Sequence, residues 1–331
     1  MSNLGVFENK TILVTGGTGS FGRNFAKLTL EKYNPKQIII FSRDEMKQWM
    51  MAQEFSDPRI EFVIGDIRDK DSLRRVARGI DYIVHAAATK IVPLSEYNAF
   101  ECVKTNILGS MNVIDVAIEM GVSKVVALST DKASAPVNLY GATKLAADKL
   151  FVAANVNSRH SQTTFSVVRY GNVMGSRGSV IPFFESLKNK EEIPITDIEM
   201  TRFMITLEQA IELVWESFTD SLGGEIYVKK IPSIKVINIA KVISPNAKFK
   251  IIGIRPGEKL HEQMIGQEDA PNTFEYDEYY KILPTISNLN KDVKRIKNGE
   301  KVKSDFVYAS NSNQNWMSDE DLRKWLEKNR I

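Results

Sequence analysis

The sequence is poor in cysteine, in histidine and in long apolar runs. Cys102 is the only cysteine among 331 residues, which excludes a disulfide scaffold and a cysteine-rich metal site and suits a reducing cytoplasm. The three histidines are isolated from one another, so no metal site is expected. No stretch approaches the roughly 18 consecutive apolar residues of a membrane-spanning helix, so we expect a soluble cytoplasmic protein without a membrane partner.

A surplus of one charge sign is also missing. The 44 basic and 41 acidic residues are interspersed and leave a net charge of +3, which argues against a nucleic-acid partner but allows a local basic pocket. Apolar residues make up 43% of the chain, enough for a substantial core at this length. The composition fits one large unit, or a nucleotide-binding domain with a smaller lobe.

The first 170 residues alternate short β-branched runs with longer amphipathic segments. Strands are predicted at Thr11–Thr15, Gln37–Phe41, Ile60–Ile64, Tyr82–His85, Lys124–Leu128 and Thr164–Arg169. Helices are predicted at Phe21–Lys32, Glu45–Glu54, Asp71–Ala77, Ala99–Glu119 and Leu139–Ala154. Runs of Val and Ile separated by helices indicate an α/β fold, a Rossmann doubly wound parallel sheet covered by helices on both faces.

After Gly171 the regular alternation fades. Proline and glycine turns become frequent, among them Pro182, Pro194, Pro232 and Pro245, with short elements between them. We therefore expect a dinucleotide-binding domain over residues 5–170 and a smaller C-terminal substrate-binding lobe over residues 171–331. The boundary is soft, because segments after Gly171 are free to return to the first sheet.

A glycine-rich loop joins the first predicted strand to the first predicted helix. Gly16, Gly19 and Gly22 have a Gly-x-x-Gly-x-x-Gly spacing, which suits a tight turn, close approach of the backbone to a pyrophosphate and a helix N-terminus facing the anion. A flexible turn is the alternative, but the position between an apolar strand and an amphipathic helix favours a dinucleotide site. The loop also brings Thr18, Ser20 and Phe21 to this site.

The end of the second strand bears on which dinucleotide binds. An NAD site usually has an acidic residue there to hold the ribose 2′-hydroxyl. Here Ser42 and Arg43 come first and Lys47 lies one helical turn further on, and a hydroxyl and cations suit a 2′-phosphate. NADP is therefore predicted. Asp44 keeps NAD open if it turns inward, and otherwise it caps the next helix with Glu45.

Further cofactor contacts are expected where other strands end. A side chain after the third strand can reach the adenine, and small residues after the fourth strand let the backbone approach the cofactor. These contacts extend the loop's site along the carboxyl edge of the sheet. The positions are Asp66, Ile67, Ala86, Ala87 and Ala88.

Candidate redox residues follow the fifth strand. Thr130 stands near its end, and Tyr140 and Lys144 lie four apart on a predicted helix, where they share one face. An ammonium there lowers the pKa of the tyrosine and can hold the nicotinamide ribose, so that the phenolate serves as a base. Together with the glycine loop, these residues resemble the extended short-chain dehydrogenase/reductase superfamily, with Thr130, Tyr140 and Lys144 on its catalytic triad positions.

Asp131 and Lys132 directly follow Thr130 and narrow the reaction class. The simple epimerases and dehydrogenases of that superfamily do not need an acid and a base there, whereas sugar-nucleotide 4,6-dehydratases do. In the dehydratase reaction a C4 ketone acidifies the C5 proton, a base removes that proton, and an acid protonates the departing C6 hydroxyl. The alternative is an exposed ion pair in a loop.

Seven motifs occur in the order found in one family of these dehydratases. Over nearly all of residues 5–327 the chain resembles the inverting UDP-N-acetylglucosamine 4,6-dehydratases of pseudaminic acid biosynthesis, which are hydro-lyases. The motifs are Ser42-Arg43-Asp44-Glu45, Ser129-Thr130-Asp131-Lys132-Ala133, Val168-Arg169-Tyr170-Gly171-Asn172-Val173, Gly175-Ser176-Arg177-Gly178-Ser179-Val180, Ile195-Thr196-Asp197, Met200-Thr201-Arg202-Phe203 and Arg255-Pro256-Gly257-Glu258-Lys259.

This resemblance implies a role for each catalytic residue. Tyr140 deprotonates the C4 hydroxyl, Lys132 abstracts the C5 proton and Asp131 protonates the leaving C6 hydroxyl, with NADP regenerated in each turnover. Reprotonation of C5 from the opposite face gives UDP-2-acetamido-2,6-dideoxy-β-L-arabino-hex-4-ulose. Lys132 can act as a base only if its pKa is depressed, which we expect from partial burial near other cations.

The resemblance also implies the residues that bind UDP-N-acetylglucosamine. Lys90 is expected near both the nicotinamide and the sugar, and Val173 near the cofactor. Thr196 is expected near the uracil, and the arginines at the diphosphate and uridine. The implied set is Lys90, Asn172, Arg177, Thr196, Arg202, Arg255, Glu258 and Asn313.

Three other functions stay open. C5-retaining UDP-N-acetylglucosamine 4,6-dehydratases also carry Asp-Lys, although many are longer, have membrane segments and carry Met in place of Tyr140. A UDP-sugar 4-epimerase forms no stable 4-keto product, and a redox-sensing regulator binds NADP without turnover but usually lacks the Tyr/Lys pair. Relatives commonly associate through their two longest helices, here Ala99–Glu119 and Leu139–Ala154, so a homo-oligomer is expected.

Overall fold

The structure is a computed structural model that describes residues 5–157, 162–286 and 293–329. Its N-terminal half alternates strands and helices. The strands are β1 Thr11–Thr15, β2 Gln37–Ser42, β3 Ile60–Ile64, β4 Tyr82–His85, β5 Lys124–Thr130 and β6 Thr164–Tyr170. The helices are α1 Ser20–Lys32, α2 Glu45–Glu54, α3 Lys70–Val76, α4 Val92–Tyr97, α5 Ala99–Val103, α6 Gly109–Glu119 and α7 Leu139–Asn157.

The C-terminal half has shorter elements, as the frequent proline and glycine turns predict. Its strands are β7 Asn172–Val173, β8 Glu192–Ile195, β9 Thr201–Ile205, β10 Ile226–Lys229, β11 Ser233–Lys235, β12 Lys248–Ile251, β13 Gln263–Ile265, β14 Thr273–Glu275, β15 Tyr279–Ile282, β16 Glu300–Lys301 and β17 Tyr308–Ala309. Its helices are α8 Val180–Leu187, α9 Leu207–Asp220, α10 Val236–Ile243, α11 Val293–Ile296 and α12 Asp319–Asn329.

A large sheet organises the molecule. Among the described residues its strand order is β16-β14-β15-β10-β6-β5-β4-β1-β2-β3. The strands from β3 to β10 are parallel, and β15, β14 and β16 continue the sheet antiparallel. The order 3-2-1-4-5-6 is that of the doubly wound dinucleotide fold, so the predicted fold class is confirmed. Strands β10, β14, β15 and β16 are segments after Gly171 that return to the first sheet.

The remaining C-terminal segments form a lobe with its own apolar core. Strands β7, β9 and β11 make a small sheet, and β8 pairs with β12. Met174, Ile195, Met204 and Ile239 are buried in a cluster separate from the core of the large sheet. Strand β7 follows β6 directly, so the lobe begins at the carboxyl end of β6 in the large sheet. The division at residue 170 stays a prediction.

One predicted helix is interrupted. The segment predicted as continuous over Ala99–Glu119 contains a π-helical turn at Lys104–Leu108 between α5 and α6. Asn106 in that turn is buried, and its side-chain amide donates to the Thr89 carbonyl and the Thr143 hydroxyl, at 3.0 Å each. The turn thereby holds the loop after β4 against α7. Such turns occur often near functional sites.

Candidate active site

The glycine loop forms a close-packed cradle between β1 and α1. Gly16 has φ +67°, and a Cβ there would lie 2.8 Å from the backbone of Ala87 in the loop after β4. A Cβ on Gly22 would lie 2.5 Å from the backbone of Gly17. Only glycine fits at either position. Without side chains at Gly16 and Gly22 the backbone of the loop packs closely, and the N-terminus of α1 stays accessible to an anion. These features fit the pyrophosphate of a dinucleotide.

At the end of β2 the acidic residue faces the helix. Asp44 is the N-cap of α2: its carboxylate accepts a hydrogen bond from the Lys47 backbone at 3.0 Å and pairs with Lys47 Nζ at 2.6 Å. Hydrogen bonds from Lys47 hold the pKa of Asp44 below its ordinary value. Ser42 is buried and accepts hydrogen bonds from Thr18 and Gln48, both at 3.2 Å. Arg43 is more exposed, and the carboxylate of its neighbour Asp44 is already paired with α2 and Lys47.

Asp66, expected near the adenine, is held by its neighbour. Arg68 donates to the Asp66 carboxylate from its guanidinium at 2.7 Å and from its backbone at 2.9 Å. Although partial burial raises the pKa of Asp66, these hydrogen bonds outweigh it and the pKa falls below its ordinary value. Asp66 is therefore a fixed carboxylate on the cleft wall.

The first turns of α7 carry Tyr140 and Lys144 into the cleft, where both are buried. Burial raises the pKa of Tyr140 to about 12, and the Lys132 ammonium and a Thr130 hydrogen bond offset part of this rise. Lys144 Nζ donates to the Leu128 carbonyl at 2.7 Å. The expectation that Lys144 lowers the pKa of Tyr140 is thus wrong, because burial dominates and Lys144 is turned toward β5.

Asp131 and Lys132 form a short 3₁₀ turn at the end of β5, and their ion pair lies inside the cleft. Lys132 Nζ is 3.0 Å from Asp131 Oδ1, and the Asp131 side chain is 0% exposed. The Thr130 hydroxyl donates to the same Asp131 oxygen at 2.9 Å. This geometry overturns the alternative of an exposed loop pair.

The electrostatics of this pair differ from the expectation. Burial raises the pKa of Asp131, which favours the protonated form that an acid needs. Burial also opposes the charge of Lys132, but the attraction of Asp131 and Glu262 outweighs it, so the pKa of Lys132 lies above its ordinary value. The predicted depression of this pKa is wrong, because carboxylates rather than cations are the nearest charged neighbours.

Glu262 is a site residue that the sequence reasoning missed. Its carboxylate Oε1 lies 3.0 Å from Lys132 Nζ, and its side chain is 2% exposed within the cleft. Burial raises its pKa, but Lys132, Arg202 and Lys259 outweigh that effect and hold the pKa below its ordinary value. The only signal in the sequence is that Glu262 follows the Arg255–Lys259 motif by a few residues.

Most of the predicted substrate residues line the same cleft, which has a volume of about 800 Å³. Asn172 Oδ1 is buried without a hydrogen-bond partner, as expected of an acceptor that awaits a ligand. Arg255 pairs with Glu258 on the lobe side. The cleft lining includes Lys90, Asn172, Arg177, Thr196, Arg202, Arg255 and Glu258. All of the predicted catalytic and cofactor positions line it as well.

Two of the predicted substrate residues are engaged elsewhere. Asn313 is outside the cleft lining: its side-chain amide donates to Ile231 and Asn315 carbonyls and to the Ser233 hydroxyl, so it braces the loop beside β11. Arg202 lines the cleft, but its two terminal nitrogens donate to backbone carbonyls, and its Nε lies 3.8 Å from Glu262. Arg202 thus stabilises the segment that presents Glu262.

Comparison with known proteins gives a consistent result. A model of the polysaccharide biosynthesis protein family matches residues 12–284. The inverting UDP-N-acetylglucosamine 4,6-dehydratase of Campylobacter jejuni subsp. jejuni serotype O:2 is 53% identical over 324 residues, which cover 96% of this chain and 97% of that protein. The UDP-glucose 4-epimerase of Rickettsia canadensis is 41% identical over 293 residues, or 86% of each chain.

A solved structure extends the likeness to the fold. DesIV, a dTDP-glucose 4,6-dehydratase from Streptomyces venezuelae crystallised with NAD, superposes with a TM-score of 0.68 at 25% identity, covering 76% of this chain and 86% of its own. Among the described residues of this chain, the helices are too short or too polar to cross a membrane.

Proposed function

Because the chain belongs to the polysaccharide biosynthesis protein family, we propose that it is a UDP-N-acetylglucosamine 4,6-dehydratase that inverts C5. The observation that carries this proposal is the buried Asp131–Lys132 pair, 3.0 Å apart, in the same cleft as Tyr140. An oxidoreductase or epimerase needs the tyrosine but has no use for a further acid and base beside it. The product would be the L-arabino 4-keto-6-deoxy sugar nucleotide, the first intermediate of pseudaminic acid biosynthesis.

Each catalytic residue has a distinct task in this proposal. Tyr140, as the phenolate, takes the proton of the C4 hydroxyl, with Thr130 beside it. Once C4 is a ketone, the C5 proton is acidic enough for Lys132 to remove. Asp131 protonates the C6 hydroxyl so that it leaves as water. The pair of groups provides proton transfer on both sides of the C5–C6 bond, where such catalysis contributes about 10² to 10⁴ in rate.

The resting ion pair can become the working acid and base by one internal transfer. The proton on Lys132 Nζ moves across the 3.0 Å contact to Asp131, leaving a neutral amine and a neutral carboxylic acid. The total number of protons on the pair does not change. After the elimination Lys132 holds the C5 proton and Asp131 is ionised, which restores the resting pair. Burial favours the neutral form on Asp131, which helps this transfer.

We propose NADP as the cofactor, held by the glycine cradle, the end of β2 and the loop after β4. When bound, the nicotinamide supplies reversible two-electron redox chemistry at C4 and C6 of the sugar. Asp44 is bound by the N-terminus of α2 and by Lys47, so no free carboxylate at that position opposes a 2′-phosphate. Arg43 lies 3.9 Å from Asp66, but its guanidinium is mostly exposed and can pair with that phosphate. The NAD in DesIV supports a nicotinamide dinucleotide in general, and a direct comparison of binding decides between the two.

The test is incubation with UDP-N-acetylglucosamine in D2O, followed by NMR of the product. We expect a 4-keto-6-deoxy sugar nucleotide that carries deuterium at an inverted C5. Deuterium at a C5 of D configuration would establish the retaining dehydratase instead. That outcome is disfavoured because Tyr140 occupies the position where many retaining relatives carry Met.

Two further functions would each give a different experimental result. The Rickettsia relative favours a UDP-sugar 4-epimerase, which would return a C4 epimer without a 4-keto product. A redox-sensing regulator would bind NADP and leave every UDP-sugar unchanged, and it has no need for the Tyr140–Lys144 pair retained here. The same NMR experiment distinguishes all of these outcomes.

We also propose that the chain assembles into a homo-oligomer through its two longest helical segments, Ala99–Glu119 and Leu139–Ala154. Phe100 in the first of these segments is 82% exposed, and Tyr97 just before it is 89% exposed. Leu108 and Met111 add further exposed apolar surface to the same segment. Exposed aromatic clusters of this kind usually mark interaction surfaces. Light scattering should show a dimer or larger assembly. Both proposed ligands are nucleotides of the cytoplasm, where we place the reaction.

A further inference from the structure

Glu262 and Asp131 face the Lys132 ammonium together. Lys132 Nζ is 3.0 Å from Asp131 Oδ1 and 3.0 Å from Glu262 Oε1, and the two carboxylate side chains are 0% and 2% exposed. One buried lysine is therefore shared between two buried carboxylates. The dehydration mechanism uses Lys132 and Asp131, but it assigns nothing to Glu262.

The position of Glu262 is fixed by its backbone. Its N–H donates to Ser310 Oγ at 2.9 Å, and its carbonyl accepts from the Ser310 backbone at 2.7 Å. Its Oε2 is buried with no hydrogen-bond partner, and the Asp131 Oδ2 atom is in the same condition. A buried carboxylate is costly unless charges compensate it, and here Lys132 does so at closest range, with Arg202 and Lys259 each 3.8 Å away.

We propose that Glu262 is a positioning residue for the dehydration step, one that holds the Lys132 ammonium beside Asp131 and sets the pH range in which this pair is active. The inference rests on the proposed acid and base roles of Asp131 and Lys132. Those roles need one proton shared by Asp131 and Lys132. The pair is inactive when both groups are protonated, because Lys132 then cannot act as a base. It is also inactive when neither group is protonated, because Asp131 then cannot act as an acid.

The charge of Glu262 moves both limits of that range in one direction. Its negative charge raises the pKa of Lys132 and also that of Asp131. If the charge is removed, both groups lose protons more easily and the active range moves to lower pH. The charged or titratable groups that act on Lys132 or respond to its charge are Asp131, Glu262, Arg202, Lys259 and Tyr140.

The test measures two partial reactions of holoenzyme with UDP-N-acetylglucosamine across pH. Exchange of the C5 proton with D2O reports on Lys132, and the near-ultraviolet absorbance of reduced nicotinamide in a single turnover reports on C4 oxidation. For Glu262→Gln we expect the pH profile of C5 exchange to move down by about 1 to 3 pH units. Exchange should also fall at least tenfold at its optimum, while C4 oxidation changes less than threefold.

Glu262→Asp keeps the charge and withdraws the carboxylate by one methylene. We expect its exchange profile to stay at the wild-type pH, with exchange reduced at least fivefold relative to C4 oxidation. This variant tests the proposal by itself if Glu262→Gln does not fold. Glu225→Gln is the matched control, because Glu225 is a buried carboxylate paired with Arg295 outside the cleft. Its exchange profile should not move.

Each result has a definite meaning. An unmoved pH profile in folded Glu262→Gln would overturn the proposal, as would equal losses of exchange and C4 oxidation in either Glu262 variant. Absence of C5 exchange in the wild-type protein would instead overturn the dehydratase assignment. The wild-type result therefore separates the failure of the proposed function from the failure of the role of Glu262.

Discussion

The side-chain amide of Asn138 donates a 2.7 Å hydrogen bond to the carbonyl of Gly257. Its oxygen accepts a hydrogen bond from the Gly141 backbone, also at 2.7 Å, in the first turn of α7. One residue thus links the helix that carries Tyr140 to the loop that carries Arg255 and Glu258. The catalytic and the substrate-binding parts of the cleft are joined at this point.

Asn138→Asp should raise the KM for the UDP-sugar about tenfold with little change in kcat. The aspartate keeps the acceptor for Gly141 but cannot donate to Gly257, and an unpaired carbonyl costs about 1–3 kcal/mol. Asn138→Ala also removes the acceptor at the start of α7 and should lower thermal stability as well. Steady-state kinetics and thermal unfolding check both variants. An unchanged KM in Asn138→Asp would show that the loop is held by other contacts.

Gly16→Ala should weaken cofactor binding by one to two orders of magnitude. The added Cβ meets the Ala87 backbone at 2.8 Å, and a left-handed conformation costs a non-glycine residue about 1–2 kcal/mol. Gly79→Ala is the matched control, because Gly79 has φ +73° but no atom within 4 Å of an added Cβ. Titration of both variants with NADP checks this, and equal affinities would argue against the cradle.

The first sheet could be predicted because its information is local. Strands β1, β3 and β4 have the predicted bounds, since each is a short run rich in β-branched or aromatic residues between turns. Strand β5 runs two residues further than predicted because Ser129 and Thr130 still pair with β6. The π turn at Lys104–Leu108 left no trace in the periodicity, since one extra residue in a turn hardly changes an amphipathic pattern.

The environment of Lys132 was not accessible to sequence reasoning. Glu262 lies 3.0 Å from Lys132 in space but 130 positions away in the chain, on an irregular segment before β13. Only the tertiary fold brings the two together, and Glu262 adds to the attraction of Asp131 that holds the pKa of Lys132 above its ordinary value. The same holds for Asn313, for which the resemblance implied a ligand contact, whereas its side-chain amide instead binds the loop beside β11.

Arg43→Ala should reduce NADP affinity at least tenfold and leave NAD affinity within about twofold. A hydrogen bond to a charged group contributes about 1.5–3 kcal/mol, and only NADP carries the 2′-phosphate. Arg78→Ala is a control of the same residue type, because Arg78 is exposed and lies outside the cleft. Calorimetric titration with both dinucleotides gives the four affinities needed. Equal losses for NAD and NADP would place Arg43 elsewhere on the cofactor.

Asp220→Asn should make unfolding less sensitive to acid. Burial raises the pKa of Asp220, but hydrogen bonds from Lys281, Lys297 and Tyr227 outweigh it and hold the pKa below its ordinary value. A carboxyl whose pKa is lower in the folded state stabilises the protein above its unfolded pKa of about 3.9, and this contribution is lost as pH falls through the folded pKa. Denaturant unfolding at pH 7 and at about pH 2, well below the unfolded pKa, should show a smaller difference for the variant.

Asp131→Asn should separate the oxidation from the elimination. The amide has nearly the shape of the carboxyl group and keeps an oxygen for Thr130 and Lys132, but it cannot protonate the C6 hydroxyl. We expect formation of the 4-keto-6-deoxy product to fall by about 10² to 10⁴, the usual contribution of a general acid, while C4 oxidation stays within about tenfold. NMR of the product and single-turnover absorbance of reduced nicotinamide measure the two. Tyr140→Phe is the opposite control, because it should suppress both product formation and C4 oxidation. If Asp131→Asn also suppressed C4 oxidation, Asp131 would serve the oxidation step instead.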